Sequence, residues 1–143
     1  MFSKACEYAI RSSIYIASQA MSGRRVSLTD VAQKIESPEA FTSKILQKLV
    51  KNKIINSVKG PGGGFDVDVN NLEKIKLILI VEAFEGKVLT RCSLGLNECS
   101  DTQPCPFHYK YKPIRERLLH IFENTSLNDL MKGFQDGQTF LRS

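Results

Sequence analysis

The sequence has no long apolar run. Its longest unbroken stretch, Leu77-Ile78-Leu79-Ile80-Val81, falls far short of the roughly 20 residues that a membrane-spanning helix needs. It has no low-complexity tract, and 42% hydrophobic against 24% charged residues, with a mean hydropathy of −0.19, excludes disorder as a description of the whole. The start, Met1-Phe2-Ser3-Lys4-Ala5-Cys6-Glu7, lacks the pattern of a signal peptide. Paired carboxylates, a phosphate-binding loop and a nucleophile triad are all missing, which argues against an enzyme. These absences predict a soluble, cytoplasmic protein with no membrane association. A length of 143 residues fits one domain, or a small module with an appended helix, since single cores usually reach roughly 100–150 residues.

Positive excess is also missing, but only from the second half. The net charge is +5, yet residues 1–62 hold ten Lys or Arg against four Asp or Glu, while the other 81 hold ten against eleven. A polyanion is the partner such a split suggests for the first half.

Along the chain, Ala5, Cys6, Ala9, Ile10, Ile14, Ala17 and Met21 recur at helical spacing, predicting a helix from Phe2 to about Met21 that stops at Ser22-Gly23. After Arg24-Arg25 and a short extended Val26, Ser27 is placed to cap a second helix through Leu28, Val31, Ala32 and Ile35. Ser37-Pro38-Glu39 reads as cap, first and second positions of a third helix running to about Asn52. Phe41, Ile45, Leu46, Leu49 and Val50 form its apolar stripe, and Thr42, Ser43, Lys44, Gln47, Lys48 and Lys51 its opposite face. Two short helices of this kind match a helix-turn-helix, the second presenting hydroxyl, amide and ammonium groups outward.

Two alternating segments, Ile54-Ile55-Asn56-Ser57-Val58 and Phe65-Asp66-Val67-Asp68-Val69, flank Lys59-Gly60-Pro61-Gly62-Gly63-Gly64, which predicts a β-hairpin with a glycine-rich tip. Helix, helix, helix, ribbon is the order of a winged helix-turn-helix. The tip glycines can bring backbone N–H groups close to a phosphate, and Lys59 stands at the wing base. Asn70-Asn71 then offers a cap for a linker helix through Leu72, Ile75, Leu79, Ile80, Ala83 and Phe84 to Gly86. Pro113 reads as the first residue of a long helix through Ile114, Leu118, Ile121 and Phe122, whose narrow stripe suits packing against a copy of itself. Ser126-Leu127-Asn128-Asp129 starts a short terminal helix, and the residues after it are expected to fray.

Between the linker and the long helix, residues 87–112 lack periodicity and hold Cys92, Cys99, Cys105 and His108 in the form C-x6-C-x5-C-x2-H. So long an irregular loop is unusual in a compact domain unless something organises it. Three thiolates and an imidazole suit tetrahedral zinc, but the tight knuckle that zinc sites usually contain is missing. Wider spacing suits an iron–sulfur cluster, and thiols without a metal remain an alternative. Cys6 reads as a small core residue and His120 as surface or interface.

Tyr8-Ala9, the Ser27–Ala32 helix, Leu49-Val50-Lys51-Asn52-Lys53-Ile54-Ile55, Val58-Lys59-Gly60-Pro61-Gly62-Gly63-Gly64-Phe65 and the cysteine loop together resemble the Rrf-two family of bacterial winged-helix transcription regulators, of the IscR, NsrR and CymR type. The likeness spans essentially the whole chain, and the glycine-rich wing, with Lys59 in place of arginine, is its most specific motif. It implies a homodimer with crossing C-terminal helices that reads a partly palindromic operator in double-stranded DNA. It also implies that Cys92, Cys99 and Cys105 hold a [2Fe-2S] or [4Fe-4S] cluster, which an aerobically prepared sample can lack. His108 matches the fourth ligand of one branch; Glu7 of the partner subunit matches that of another, its plain alternative being an exposed residue or a partner for Arg11. The first cysteine interval is longer than usual by one residue, and Thr42-Ser43-Lys44 replaces an acidic-and-glutamine pair on the recognition face.

The expected fold is therefore mainly α with a small β-wing: a winged helix-turn-helix (1–70), a linker helix (71–86), a cluster loop (87–112), and a long dimerisation helix with a terminal helix (113–143). The expected DNA contacts are Ser37, Thr42, Ser43, Lys44, Gln47, Lys48, Lys51, Lys59, Gly60, Gly62 and Gly63, with Thr42, Ser43, Gln47 and Lys48 toward base edges and Lys44, Lys51, Lys59 and the wing glycines toward phosphates. The same basic half also leaves room for a winged-helix module that binds an acidic protein, and the cysteines for a zinc or thiol-redox site.

Overall fold

A computed structural model describes residues 1–142 of the chain. Helix α1 (Lys4–Met21) is the hub, with the other head elements packed around it. Ser3 caps it, its hydroxyl accepting from the Cys6 N–H at 3.2 Å. Ala9, Ile16 and Ala17 are fully buried, and so are Ser12 and Ser13. The Ser13 hydroxyl donates back to the Ala9 carbonyl at 2.8 Å, which lets a polar residue face the core.

Helix α2 (Leu28–Ile35) starts at a capping box: Ser27 and Asp30 each accept the other's backbone N–H at 3.1 Å. It ends on Glu36 in the left-handed region, φ 55°. Helix α3 (Glu39–Lys51) buries Ile45, Leu46 and Leu49 beneath α1, with the Tyr8 and Phe41 rings edge to face at 5.7 Å. Its start differs from expectation. Pro38, with extended backbone, is the cap residue and no side chain caps the helix; Ser37 lies one residue too early and its hydroxyl faces Thr42 instead, Oγ to Oγ1 2.8 Å.

Strands β1 (Asn56–Val58) and β2 (Gly64–Asp66) pair antiparallel with Ser57 opposite Phe65. Val26 adds a third short rung, exchanging hydrogen bonds with Phe65 at 3.0 and 2.8 Å. That rung explains Gly64: at φ 133° a Cβ there would stand 2.6 Å from the Val26 carbonyl oxygen. A Cβ on Gly63 would stand 2.2 Å from the Val58 oxygen.

The linker helix is shorter than expected. Asp68 caps a single 3-10 turn (Val69–Asn71), and α4 begins only at Leu77, running to Glu85 and ending on Gly86. Tertiary pairing overrides the helical pattern here: Leu77 N–H donates to the Thr125 carbonyl and Leu127 N–H to the Ile75 carbonyl, at 2.8 and 2.7 Å, holding 75–77 extended beside 125–127.

Helix α5 (His108–Asn124) starts five residues earlier than expected, with Pro113 inside it. The Phe107 carbonyl already accepts from Tyr111 N–H at 3.0 Å and the two rings stack at 5.7 Å, so the turn is formed before the proline arrives. Pro113 then removes one N–H donor from the helical ladder. Helix α6 (Leu127–Gln135) has the Ser126–Asp129 capping box, and it returns to the head, where Leu127 and Met131 share the core of α1. Phe134 and Leu141 also pack on that core.

Candidate functional site

Helix α3 and the wing form one candidate surface. Lys44, Gln47, Lys48 and Lys51 are exposed and Ser43 is half-buried, its hydroxyl accepting from Gln47 Nε2 at 3.2 Å. Thr42 is not on this face. It is fully buried, and its hydroxyl lies 2.9 Å from the Pro38 carbonyl, the usual back-bond of a helical threonine. The stripe is therefore one residue wider than its apolar members, and Thr42 drops out as a groove contact. Ser37 is half-buried beside it. Lys48 lies over the Phe84 ring of α4 at 4.8 Å, which ties this face to the linker helix.

At the wing tip Lys59, Gly60 and Gly62 are exposed. Gly63 differs: its N–H donates to the Gly60 carbonyl at 2.9 Å, so that donor closes the turn and is not offered to a phosphate. Arg25 belongs to this surface although the spacing of the helices did not single it out. Its Nε donates to Asp66 Oδ2 at 2.8 Å, and Nη1 reaches the Gly62 carbonyl at 3.5 Å. The signal was its place next to Val26, whose extended backbone joins the wing.

The cysteine loop spans 86–107 between α4 and α5. Cys92 is buried, and its Sγ accepts from Leu94 N–H at 3.4 Å. The amides of Leu94 and Leu96, the neighbouring Cys105 thiol and the Arg115 guanidinium hold the Cys92 thiol below its ordinary range. Cys99 Sγ lies 3.4 Å from His108 Nδ1. His108, 3% exposed, has Nε2 2.8 Å from Asp101 Oδ1, and Lys112 Nζ grips both Asp101 oxygens at 2.7 and 2.9 Å. Lys112 and His108 hold the Asp101 carboxyl below the usual range, and Asp101 raises Lys112 in return.

The loop thus gathers Cys92 with Cys105 and Cys99 with His108. Among the described residues no three His, Cys, Asp or Glu side chains converge on one metal-sized point. Three soft thiolate donors with an imidazole suit an iron–sulfur cluster, and a second observation fits a negatively charged group. Arg115 is buried, donates from Nη1 to the Arg91 carbonyl at 3.0 Å, and leaves Nε without a partner.

Glu7 sits half-exposed on α1 with Lys4 Nζ 3.9 Å from its carboxylate. Arg11 stacks on Tyr8 at 4.6 Å rather than pairing with it. Cys6 is fully buried, its thiol pushed up to about 11 by burial with Glu85 and Glu7 nearby, as suits a core residue. His120 is exposed on α5.

The family model described as "Rrf2: Iron-dependent Transcriptional regulator" matches residues 2–133. The chain belongs to the Rrf2 family. An HTH-type regulator of Aquifex aeolicus is similar to it at 29% identity over 134 residues, covering 92% of this chain and 91% of that one. IscR of Pectobacterium atrosepticum is 26% identical over 125 residues, covering 87% and 74%. The solved structure of CymR, the global cysteine regulator of B. subtilis, superposes with a TM-score of 0.74 at 19% identity, covering 92% of this chain and 96% of the other, which shows a shared fold. As an Rrf2 protein the chain is a DNA-binding transcriptional regulator and not an enzyme; among its described residues no helix is long and apolar enough to cross a membrane.

Proposed function

We propose that this Rrf2 protein acts in the cytoplasm as a homodimer on a partly palindromic operator, and that an iron–sulfur cluster, [2Fe-2S] or [4Fe-4S], on the 86–107 loop sets its DNA affinity. The observation that carries this reading is the loop itself, which sets Cys99 against a buried His108 and has Cys105 near Cys92, with a buried Arg115 whose Nε has no partner. Cys92, Cys99, Cys105 and His108 are the proposed ligands, with Glu7 of the partner subunit as the alternative fourth. When bound, the cluster would supply a redox-active iron centre through which the loop would sense redox state, nitric oxide or iron–sulfur status.

The chain's own contacts supply a route from loop to DNA. The loop leaves α4 at Gly86; there Glu85 accepts the Ser3 N–H at 2.7 Å and Phe84 lies under Lys48 of α3. A shift of the end of α4 therefore reaches both α1 and the recognition helix. On DNA, Ser43 and Gln47 face base edges; Ser37, Lys44, Lys51, Lys59, Gly60 and Gly62 track phosphates, and Lys48 does so only by leaving Phe84. Helix α5 supports the dimer: over 17 residues it buries only His108 and Arg115, while Ile114 and Ile121 stay 58% and 54% exposed, an apolar stripe for a second copy. Two recognition helices must then stand about one helical turn apart, ~34–36 Å.

Anaerobic isolation with iron and sulfide quantification, followed by operator binding before and after oxidation, tests this. Equimolar or greater iron and sulfide, with affinity that changes on oxidation, is the expected result; equal affinity in every state removes the sensor. The Cys92–Cys105 thiol pair favours a second reading, a zinc or thiol-redox site on the same regulator, which iron without sulfide, or neither, would support.

A further inference from the structure

Helix α5 carries a buried cation that the head does not use. Arg115 is 6% exposed and stands seven residues after His108, which puts the two buried side chains of α5 on one helix face. That face is turned to the cysteine loop, because Nη1 donates to the carbonyl of Arg91, the residue before Cys92, at 3.0 Å. Nε has no partner, and among the described residues no carboxylate lies within ion-pair distance of the guanidinium. An arginine cannot shed its charge in a protein. Burying it without an anion is costly, and removing an anion from beside it is costly in the same way. One neutral carbonyl does not balance a full charge, so the structure calls for an anionic group at this spot.

We propose that Arg115 is the built-in counter-cation of the anionic group held by Cys92, Cys99 and Cys105, retaining that group in the loop and tuning its reduction potential. The inference rests on the proposed cluster. Three thiolates with iron and sulfide carry net negative charge, and one-electron reduction adds more; a fixed cation next to Cys92 stabilises both states, and the reduced one further. Arg115 is a positioning and tuning residue here, not a ligand.

The test compares wild type, Arg115→Lys and Arg115→Gln, each reconstituted anaerobically as full-length protein. Iron and sulfide content, the midpoint potential, and the thermal midpoint of the cluster-free protein are read for all three. Arg115→Gln is expected to retain less than half the wild-type iron and sulfide and to shift the midpoint of what remains to more negative values. Arg115→Lys, which keeps the charge and loses the fork, should stay near wild type in potential. The proposal is overturned if Arg115→Gln matches wild type in content and potential. It is equally overturned if both variants lose cluster in step with a lowered cluster-free thermal midpoint and leave the potential of the residual cluster unmoved, since Arg115 is then only a strut for Arg91. Wild type that takes up no iron and sulfide sinks the cluster itself, an outcome separate from either of these.

Discussion

The head and the cysteine loop are held together by different forces. In the head, Ile16, Ile35, Leu46, Leu49, Leu72 and Met131 from five segments are at most 2% exposed, and both capping boxes belong to helices packed there. In the loop, Leu94 and Leu96 are each 53% exposed, and order comes from a handful of polar ties: Leu94 to Cys92, Cys99 to His108, Asp101 to His108 and Lys112, Arg115 to Arg91. Apolar burial is indifferent to redox chemistry, whereas thiols answer to it. Under the proposed function this division would let the head stay folded while the loop changes.

The largest effect expected is in the head. Leu49→Ala, removing a fully buried side chain of the recognition helix, should cost about 2–5 kcal/mol in urea unfolding. A smaller loss would mean that the head is looser than its packing implies. Thr42→Val keeps the shape and removes the hydroxyl that bonds Ser37 and Pro38; because the Pro38 carbonyl keeps the Thr42 backbone N–H, the change should cost about 0.5–1.5 kcal/mol while leaving operator specificity unchanged below the melting range. Altered base preference would return Thr42 to the groove.

On the DNA surface, Lys44→Met should reduce the slope of log affinity against log salt by about 0.9, as for one lost phosphate contact. Lys48→Met should change it less, since Lys48 rests on Phe84. Equal slopes would detach Lys48 from α4 and weaken the route from loop to recognition helix.

The smallest effect on global stability belongs to the loop. Asp101→Asn should leave the urea midpoint almost unmoved while speeding amide exchange of residues 93–104, the local signature of a lightly held segment. Because the folded Asp101 carboxyl is held low, its contribution is present above the ordinary carboxylate range and is lost as pH falls through the lowered value. Because Lys112 is raised, its share persists until pH climbs through the raised lysine value. The Asp101–Lys112 contribution to loop protection should therefore fall only in strong acid or strong base, and Asp101→Asn should erase its acid limb. A global stability loss comparable to that of Leu49→Ala would break the contrast between the two regions.

Much of the head was legible from local pattern. The Ser27 cap with Asp30, the Ser126 cap with Asp129, the hairpin around the glycines and the stop at Gly86 all follow from short-range chemistry that neighbouring residues enforce. The misreadings share a cause. Thr42 looked polar and therefore outward, but its hydroxyl satisfies itself on Pro38 and needs no water. Leu72 and Ile75 looked helical, yet the backbone at 75–77 pairs with 125–127, more than 45 residues away. Pro113 looked like a beginning, and the stacked Phe107 and Tyr111 start the helix ahead of it. In the candidate site, the cysteines and His108 were legible by residue type and spacing, whereas Arg25 and Arg115 were not, because a charged residue declares neither its burial nor its partner.

By itself the sequence determined the inventory: a basic first half, helices followed by a glycine-tipped ribbon, and a loop with three thiols and a histidine. Those features depend on periodicity, steric limits and charge count, all of which act within a few residues. Only the tertiary structure decided which polar side chains are inside, that α6 returns to complete the core of α1, and that a buried guanidinium is tied to the backbone just before Cys92. Burial and pairing between distant segments are set by how helices pack, and no local rule contains that information.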